Sequence, residues 1–395
     1  MPTHPILIAG GGIAGVASAL SLVRNGRASH VFEKAEAFET VGAGLQIGPN
    51  AVRALKYLDV WDTLAASAFA PPAIFIRDGH SGRLLQEIRL GIEFERRFGE
   101  PYRVIHRADL LTGLVERARM HSAIELKTGA EVMRFADKGG YVEIETRSGR
   151  VRGEALLGAD GIRSVIRQTL AADGPPVRHS EVLFRALTTF DTPMPERLAG
   201  ITLWLCRQGH VVHYPVRGGK ALNVVAAAVN SLWPGEGWSA PADRQEVMAH
   251  FSKIHEDLFQ VLAVSSPWLK WAAADRGPTA WSRNRVTLVG DAAHAALPYL
   301  AQGAAMALED SVALSLCAQR SDTIAAAFSA YEALRKPRTQ RMAVESRRLG
   351  RIYHAKGLLR VVRNEILRLT DQARFVDRLA WIYNYDPGAR SGAQN

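Results

Sequence analysis

The sequence predicts a mixed α/β protein in which a parallel βαβ unit carries an inserted antiparallel sheet and a helical C-terminal region. Three observations carry that reading. The apolar run Ile6–Ala9 leads through the small and aliphatic stretch Ile13–Val23 to a second short run, His30–Glu33. This is a βαβ unit of about 30 residues, whose parallel strands require a right-handed crossover. Mid-chain, Val211–Pro215 and Leu222–Val229 flank Arg217-Gly218-Gly219-Lys220, as antiparallel strands flank a turn. From Thr323 nearly every residue favours helix until Tyr385-Asp386-Pro387-Gly388, where turn chemistry stops it.

The remaining elements follow in order. Val142–Thr146 and Arg150–Leu157 read as strands across a Ser148-Gly149 turn. Leu232–Trp238, rich in Trp, Pro and Gly, reads as a loop before a helix over Arg244–Ile254. A buried strand, Val286–Val289, precedes a helix from about Gly303 to Ala318. At 395 residues the chain exceeds the roughly 250–300 at which one core stops growing, so more than one packed unit is expected.

Composition narrows the classes further. With 47% hydrophobic and 22% charged residues the chain is globular, neither disordered nor fibrous. No apolar run reaches the roughly 18–20 residues of a membrane span, and Met1–Val23 lacks the basic start of a signal peptide, so a cytoplasmic address is expected. Cys206 and Cys317 stand far apart and read as inert core thiols. The net charge of +10 is concentrated in residues 335–368, where eleven Lys and Arg face only Glu345 and Glu365. Leu349, Ile352, Leu358, Leu359, Val361, Val362, Ile366 and Leu367 are interleaved with them. The readings of this run are a solvated helical face, a homodimer interface or an anionic lipid contact; a nucleic-acid partner is not expected.

Three motifs carry chemistry. Gly10-Gly11-Gly12-Ile13-Ala14-Gly15 follows a strand and opens a helix. Its first glycine permits the turn, its second lets a pyrophosphate approach, and its third allows helix–strand packing, the fingerprint of a Rossmann-like dinucleotide site. Glu33, eighteen residues after Gly15, is placed to accept hydrogen bonds from an adenosine ribose; on these residues alone NAD and FAD both remain open. The second motif is Gly158-Ala159-Asp160-Gly161-Ile162-Arg163, where Asp160 reads either as a site residue or as a helix cap. The third is Gly290-Asp291-Ala292-Ala293-His294, with Gln302-Gly303-Ala304 opening the next helix. Asp291 is placed to accept a ribityl hydroxyl, and the helix start at Gly303 to face an anionic ring or phosphate.

In this order and spacing the three motifs resemble the single-component FAD-dependent aromatic hydroxylases over about residues 5–345. The likeness is strongest to the group of 3-hydroxybenzoate 6-hydroxylase, 6-hydroxynicotinate 3-monooxygenase and salicylate hydroxylase. Further similar pieces are Gly42–Ala51, His106–Leu110, Tyr331–Arg338 and the tail Trp381–Asp386. The resemblance implies non-covalent FAD, NADH or NADPH as reductant and O2 as co-substrate. It implies hydroxylation, through a flavin hydroperoxide, of a small carboxylated phenol or hydroxypyridine; the alternative is a flavin oxidoreductase that inserts no oxygen. A non-catalytic FAD-binding regulator is a third class, disfavoured because His210 and Tyr214 are retained. The implied cofactor contacts are Gly10, Gly12, Ile13, Ala14, Gly15, Glu33, Lys34, Leu45, Arg107, Val132, Asp160, Asp291, Gly303 and Ala304, with Arg163 toward the nicotinamide cofactor. The implied divisions are an FAD-binding domain (1–72, 100–178, 276–335), a substrate sheet (73–99, 179–275) and a helical region (336–395).

A phenol is oxygenated faster as its anion, so the site needs a base and a dry enclosure. In Gly209–Pro215 side chains alternate, which puts His210, Val212 and Tyr214 on one face and His213 on the other. The resemblance makes His210 the base and Tyr214 its partner on the substrate. Pro298, Tyr299 and Gln302 are expected beside the flavin ring, and Gln46 opposite them. Relatives often have Pro after the motif's His; here Ala295 follows His294 and Pro comes at 298, which bears on substrate identity.

Overall fold

The computed structural model describes residues 4–38, 43–229 and 239–389, so the expected loop Leu232–Trp238 and Gly42 lie outside the described residues. The N-terminal elements are β1 (Ile6–Ala9), α1 (Ile13–Val23), β2 (Ser29–Phe32) and β3 (Gly44–Ile47). After them come β4 (Arg103–His106), α2 (Arg107–Arg119), β5 (Ile124–Lys127), β6 (Ala155–Gly158) and α3 (Val165–Ala171). The central strands are β7 (Val177–Thr189), β8 (Ile201–Cys206), β9 (Gly209–Val216), β10 (Ala221–Ala228) and β11 (Trp268–Asp275). Finally come β12 (Val286–Leu288), α4 (Asp291–His294), α5 (Gly303–Arg320), α6 (Ile324–Tyr353) and α7 (Gly357–Leu369).

Two sheets organise the chain. The first runs Ser282–Arg283, β12, β6, β1, β2, β5, with β1 parallel to both β6 and β2. Its inner strands β1 and β6 are apolar because both faces are covered, by α1 on one side and by the hairpin strand Gly149–Gly153 against Leu7 on the other: Leu7 and Ile8 are fully buried. The second runs Ser239–Ala242, β11, β7, β10, β9, β8, Ala73–Asp78, Leu84–Arg89. The β9–β10 hairpin is antiparallel and pairs His210 with Ala227 and Tyr214 with Asn223.

Local boundaries differ from the sequence reading where tertiary contacts intervene. Arg150–Leu157 is two strands: Gly149–Gly153 closes a hairpin, and the chain turns at Glu154, held by Arg27 at 3.0 Å, to enter the parallel sheet as β6. The helix expected to Ile254 ends at His250, since Phe251 leaves helical geometry and Lys253 takes a positive φ of 55°. The boundary drawn between 335 and 336 falls inside α6, which continues unbroken through Pro337.

The basic C-terminal run is largely paired within the protein. Arg335 and Arg338 bind Glu309, Arg335 also binds Asp310, Arg347 binds Asp275 and Arg360 binds Asp78. Glu309 and Asp310 are fully buried. Burial alone would raise Asp310, but His294 at 2.5 Å and Arg335 at 2.8 Å outweigh it and hold the carboxyl at about 2. Breaking such a buried network by removing one partner leaves an uncompensated charge. The apolar residues of the same run behave differently: on α7, Leu358, Leu359 and Leu369 are 77%, 70% and 80% exposed. Among the described residues no helix is long and apolar enough to cross a membrane.

Candidate active site

Three turns meet beyond the carboxyl ends of β1, β6 and β12. Gly10 N–H donates to Phe32 (2.8 Å), Ala159 N–H to Ala9 (2.8 Å) and Val289 N–H to Gly158 (3.0 Å). Gly10 has φ +108°, and a Cβ there would lie 2.4 Å from the Ala159 carbonyl oxygen; one at Gly15 would lie 1.9 Å from the Gly10 oxygen. No larger residue allows this approach. The crevice therefore opens where β1 has neighbours on both sides, the place where open α/β sheets take ligands.

The lining fits a dinucleotide. α1 and α5 start without a side-chain cap and without an acidic residue in the first turn, and open space faces both Gly12 and Gly303. Two helix N-termini thus offer bare N–H groups to an anion. Glu33 closes one end, its Oε2 accepting from Gly11 N–H (2.8 Å) and its Oε1 from Ala35 N–H (2.9 Å). Val132 stands nearby, on the segment where Ala130 N–H donates to the Glu33 carbonyl at 2.8 Å. Lys34 is exposed. Arg107 opens α2 with its N–H on the Ala43 carbonyl (2.9 Å), so it sits beside Gly44 and Leu45 of β3. Asp291 is exposed after Gly290, whose N–H donates to Asp310 (2.9 Å).

Asp160 plays the helix-anchoring part of its two readings: Oδ2 accepts from Val165 and Ile166 N–H at 2.8 and 3.2 Å. Its Oδ1 is buried without a partner, and burial raises the carboxyl despite those bonds. Arg163 is exposed. His294 binds Asp310 and is part of the buried network. Burial pushes the Cys206 thiol up to about 12, that of a core residue.

The substrate-side residues come from one face of the second sheet, from β3 and from the turn before α5. His210 and Tyr214 share that face, and His213 lies on the reverse against Trp204. Tyr214 covers Gly44, where a Cβ would come within 2.5 Å of its ring, and Gly44 N–H donates to Asn223 (2.7 Å). Tyr299 meets His210 edge-on at 5.4 Å. Gln46 accepts from the Tyr102 hydroxyl (2.7 Å). Gln302 is buried: its Oε1 accepts from Asn50 (2.9 Å) and its Nε2 has no partner. Pro298 is exposed. Burial, then the neighbouring His354, lowers His210 to about 3, so it is not the near-neutral imidazole its residue type suggests. Burial also pushes the Tyr214 phenol up, which keeps it a donor.

Two residues escape sequence reading. Arg185 of β7 lies on the same face, opposite Val225, which in turn faces Val212. Its guanidinium stacks on Trp271 at 5.2 Å, burial lowers it with Arg107 adding to the effect, and its Nε has no partner. Among the described residues no carboxylate pairs with it. His354, at the end of α6, hydrogen-bonds His210 at 3.0 Å. Alternation along β7 could have placed Arg185; nothing local could have brought His354 to His210 across 144 residues.

Residues 3–346 match the family model described as an FAD binding domain. The chain is 37% identical over 388 residues to a 3-hydroxybenzoate 6-hydroxylase of Polaromonas naphthalenivorans (strain CJ2), covering 97% of this chain and 96% of that one. It is 38% identical over 383 residues to a 3-hydroxybenzoate 6-hydroxylase of Klebsiella oxytoca, covering 96% of each. A salicylate hydroxylase substrate complex superimposes with a TM-score of 0.81 at 26% identity, over 98% of this chain and 96% of that chain.

Glu33→Ala should weaken FAD binding by about 1.5–3 kcal/mol, roughly ten- to a hundredfold in Kd, through lost charge-assisted hydrogen bonds. Fluorescence titration of the apoprotein with FAD measures this, and an unchanged Kd would remove Glu33 from the ribose.

Proposed function

Since the chain belongs to the FAD-binding-domain family of flavoprotein aromatic hydroxylases, we propose that its substrate is a hydroxybenzoate-type acid, held by its carboxylate on Arg185 and deprotonated at its hydroxyl by His210. FAD, reduced by NADH or NADPH, supplies the oxygen transfer from O2. The protein's own residues bind, orient and deprotonate.

The observation that carries the reading is the unpaired guanidinium. A desolvated charge without a counter-ion is costly, and among the described residues no carboxylate offsets the half-buried Arg185. An anionic substrate supplies one by a two-point bond, and the Trp271 ring, 5.2 Å away, backs the guanidinium. The surrounding face is apolar, with Val212, Val225 and Ala227 between the polar groups, which excludes water and strengthens each bond made there. Tyr214, held protonated, donates to the substrate, and Tyr299 and Gln302 flank the ring. Gly10, Gly12, Ile13, Ala14, Gly15, Glu33, Lys34, Leu45, Arg107, Val132, Asp160, Asp291, Gly303 and Ala304 hold the cofactor in this reading. The FAD unit is the first sheet and its helices, and the substrate unit the second sheet.

The exposed apolar side of α7 is read as the contact with a second copy of the chain, because most nearby cations are already paired internally. Light scattering should give a dimer that Leu358→Lys/Leu359→Lys disrupts; a monomer that sediments with acidic liposomes would mark a lipid contact instead.

Arg185→Gln should raise KM for 3-hydroxybenzoate about ten- to a hundredfold, the 1.5–3 kcal/mol of a charge-assisted bond, while leaving FAD titration and turnover of uncharged phenols unchanged. Loss of FAD affinity instead would make Arg185 a cofactor ligand. A panel of hydroxybenzoates and hydroxypyridine carboxylates, followed by NADH consumption and H2O2 release, identifies the preferred acid.

His210→Ala should slow hydroxylation about 10²–10⁴-fold and divert NADH oxidation to H2O2 with FAD retained. His213→Ala, on the reverse face, should keep its coupling. Equal behaviour of the two variants would remove His210 as the base.

A further inference from the structure

We propose that His354 and Glu181 form a proton relay that carries the substrate proton from His210 to solvent. The proposal rests on the reading of His210 as base. It starts from a geometric fact: Nδ1 of His210 and Nε2 of His354 lie 3.0 Å apart, with the rings stacked at 5.2 Å and 27°. Two neutral imidazoles can share that bond only if one donates and the other accepts. His354 in turn has its Nδ1 3.9 Å from Glu181 Oε1, beyond a direct hydrogen bond but within reach of a small side-chain shift or of a water. A carboxylate on that side fixes the proton of His354 on Nδ1, so Nε2 is the acceptor. His210 therefore donates from Nδ1, and its Nε2 presents a lone pair, the form a base needs.

The transfer balances along this chain. The substrate hydroxyl gives its proton to His210 Nε2, His210 passes the Nδ1 proton to His354 Nε2, and His354 passes its own Nδ1 proton toward Glu181. One proton leaves the phenol and one arrives at the carboxylate; both rings end neutral with their tautomers exchanged, and reprotonation of the product by the reverse path resets them. The relay also answers why a deeply buried His210, lowered to about 3, serves as base: it does not store the proton. Burial, with Arg363 and Lys356 adding to it, lowers His354 to about 4, so it too stays neutral.

Glu181 and His354 line a cavity of about 440 Å3 that is partly open to solvent, with Tyr299, His179, Arg347 and Arg351 around it. Arg347 is paired with Asp275 at 2.7 Å. The relay thus ends where water can take the proton, while the substrate face stays enclosed.

The test uses the FAD-loaded enzyme with 3-hydroxybenzoate, or whichever phenol of the substrate panel couples best. Rapid mixing follows the ultraviolet signature of the bound phenolate. His354→Gln keeps an acceptor opposite His210 but cannot pass a proton on. Phenolate formation and hydroxylation should slow on the order of tenfold or more at neutral pH and recover toward pH ~9, where hydroxide replaces the relay. Imidazole should restore His354→Ala through the open cavity, and FAD content and melting temperature should match the parent in both variants. A His354→Gln enzyme with the parent rate and pH profile overturns the relay. So does a slow His354→Ala enzyme that imidazole does not restore, which makes His354 a structural clamp. If His210→Ala keeps full coupling, the base assignment fails first and separately.

Discussion

The buried acid pair Glu309–Asp310 is the constraint from which the site's geometry descends. Two carboxylates, fully buried, are tolerable only because cations and N–H groups surround them. Asp310 takes Arg335, His294 and the Gly290 N–H; Glu309 takes Arg335, Arg338 and Asn50. Each partner belongs to a different part of the crevice. Gly290 sets the turn that presents Asp291, and Asn50 fixes Gln302 at the start of α5. Arg338 reaches on to the carbonyls of Trp381 and Ile382. A loop that must stay open to a ligand cannot be held by packing from the ligand side, so it is held from behind by charge.

The second sheet solves the opposite problem. Its inward face must exclude water yet present a few polar groups, and strand alternation delivers both. His210 points to Tyr299 and His354 and Tyr214 to Gly44, while His213 points back to Trp204. Gly44 matters for the same reason: only an absent side chain lets Tyr214 lie over the strand that also carries Leu45 and Gln46. The ring of Tyr299 then meets His210 and Tyr353, so residues from β9, α6 and the turn before α5 share one enclosure.

How much of this was legible in the chain differs by residue. The glycine turn, Glu33 and the alternation of β9 were readable because each depends on neighbours within one strand–turn–helix unit. The basic run of 335–368 was readable only as a surplus: its counter-charges Glu309, Asp310, Asp275 and Asp78 lie outside that window. Asp160 was ambiguous for a related reason, since a strand-end aspartate before a helix suits either a ligand or a cap; one oxygen holds the N–H groups of Val165 and Ile166 at the helix that Ser164 caps, and the other has no partner. His210 was placed on the face it shares with Tyr214, opposite His213, but credited with an ordinary imidazole, because desolvation is a property of the assembled core.

The sequence by itself determined the βαβ nucleotide site, the antiparallel insert and the helical end, since periodicity and turn residues act over a few bonds and survive any packing. Only the tertiary structure decided which charges are neutralised and by whom, that among the described residues no carboxylate meets Arg185, and that His354 comes to His210. Those facts turn on Coulomb and desolvation energies between residues far apart in the chain, and such energies exist only once burial has removed water and fixed the distances.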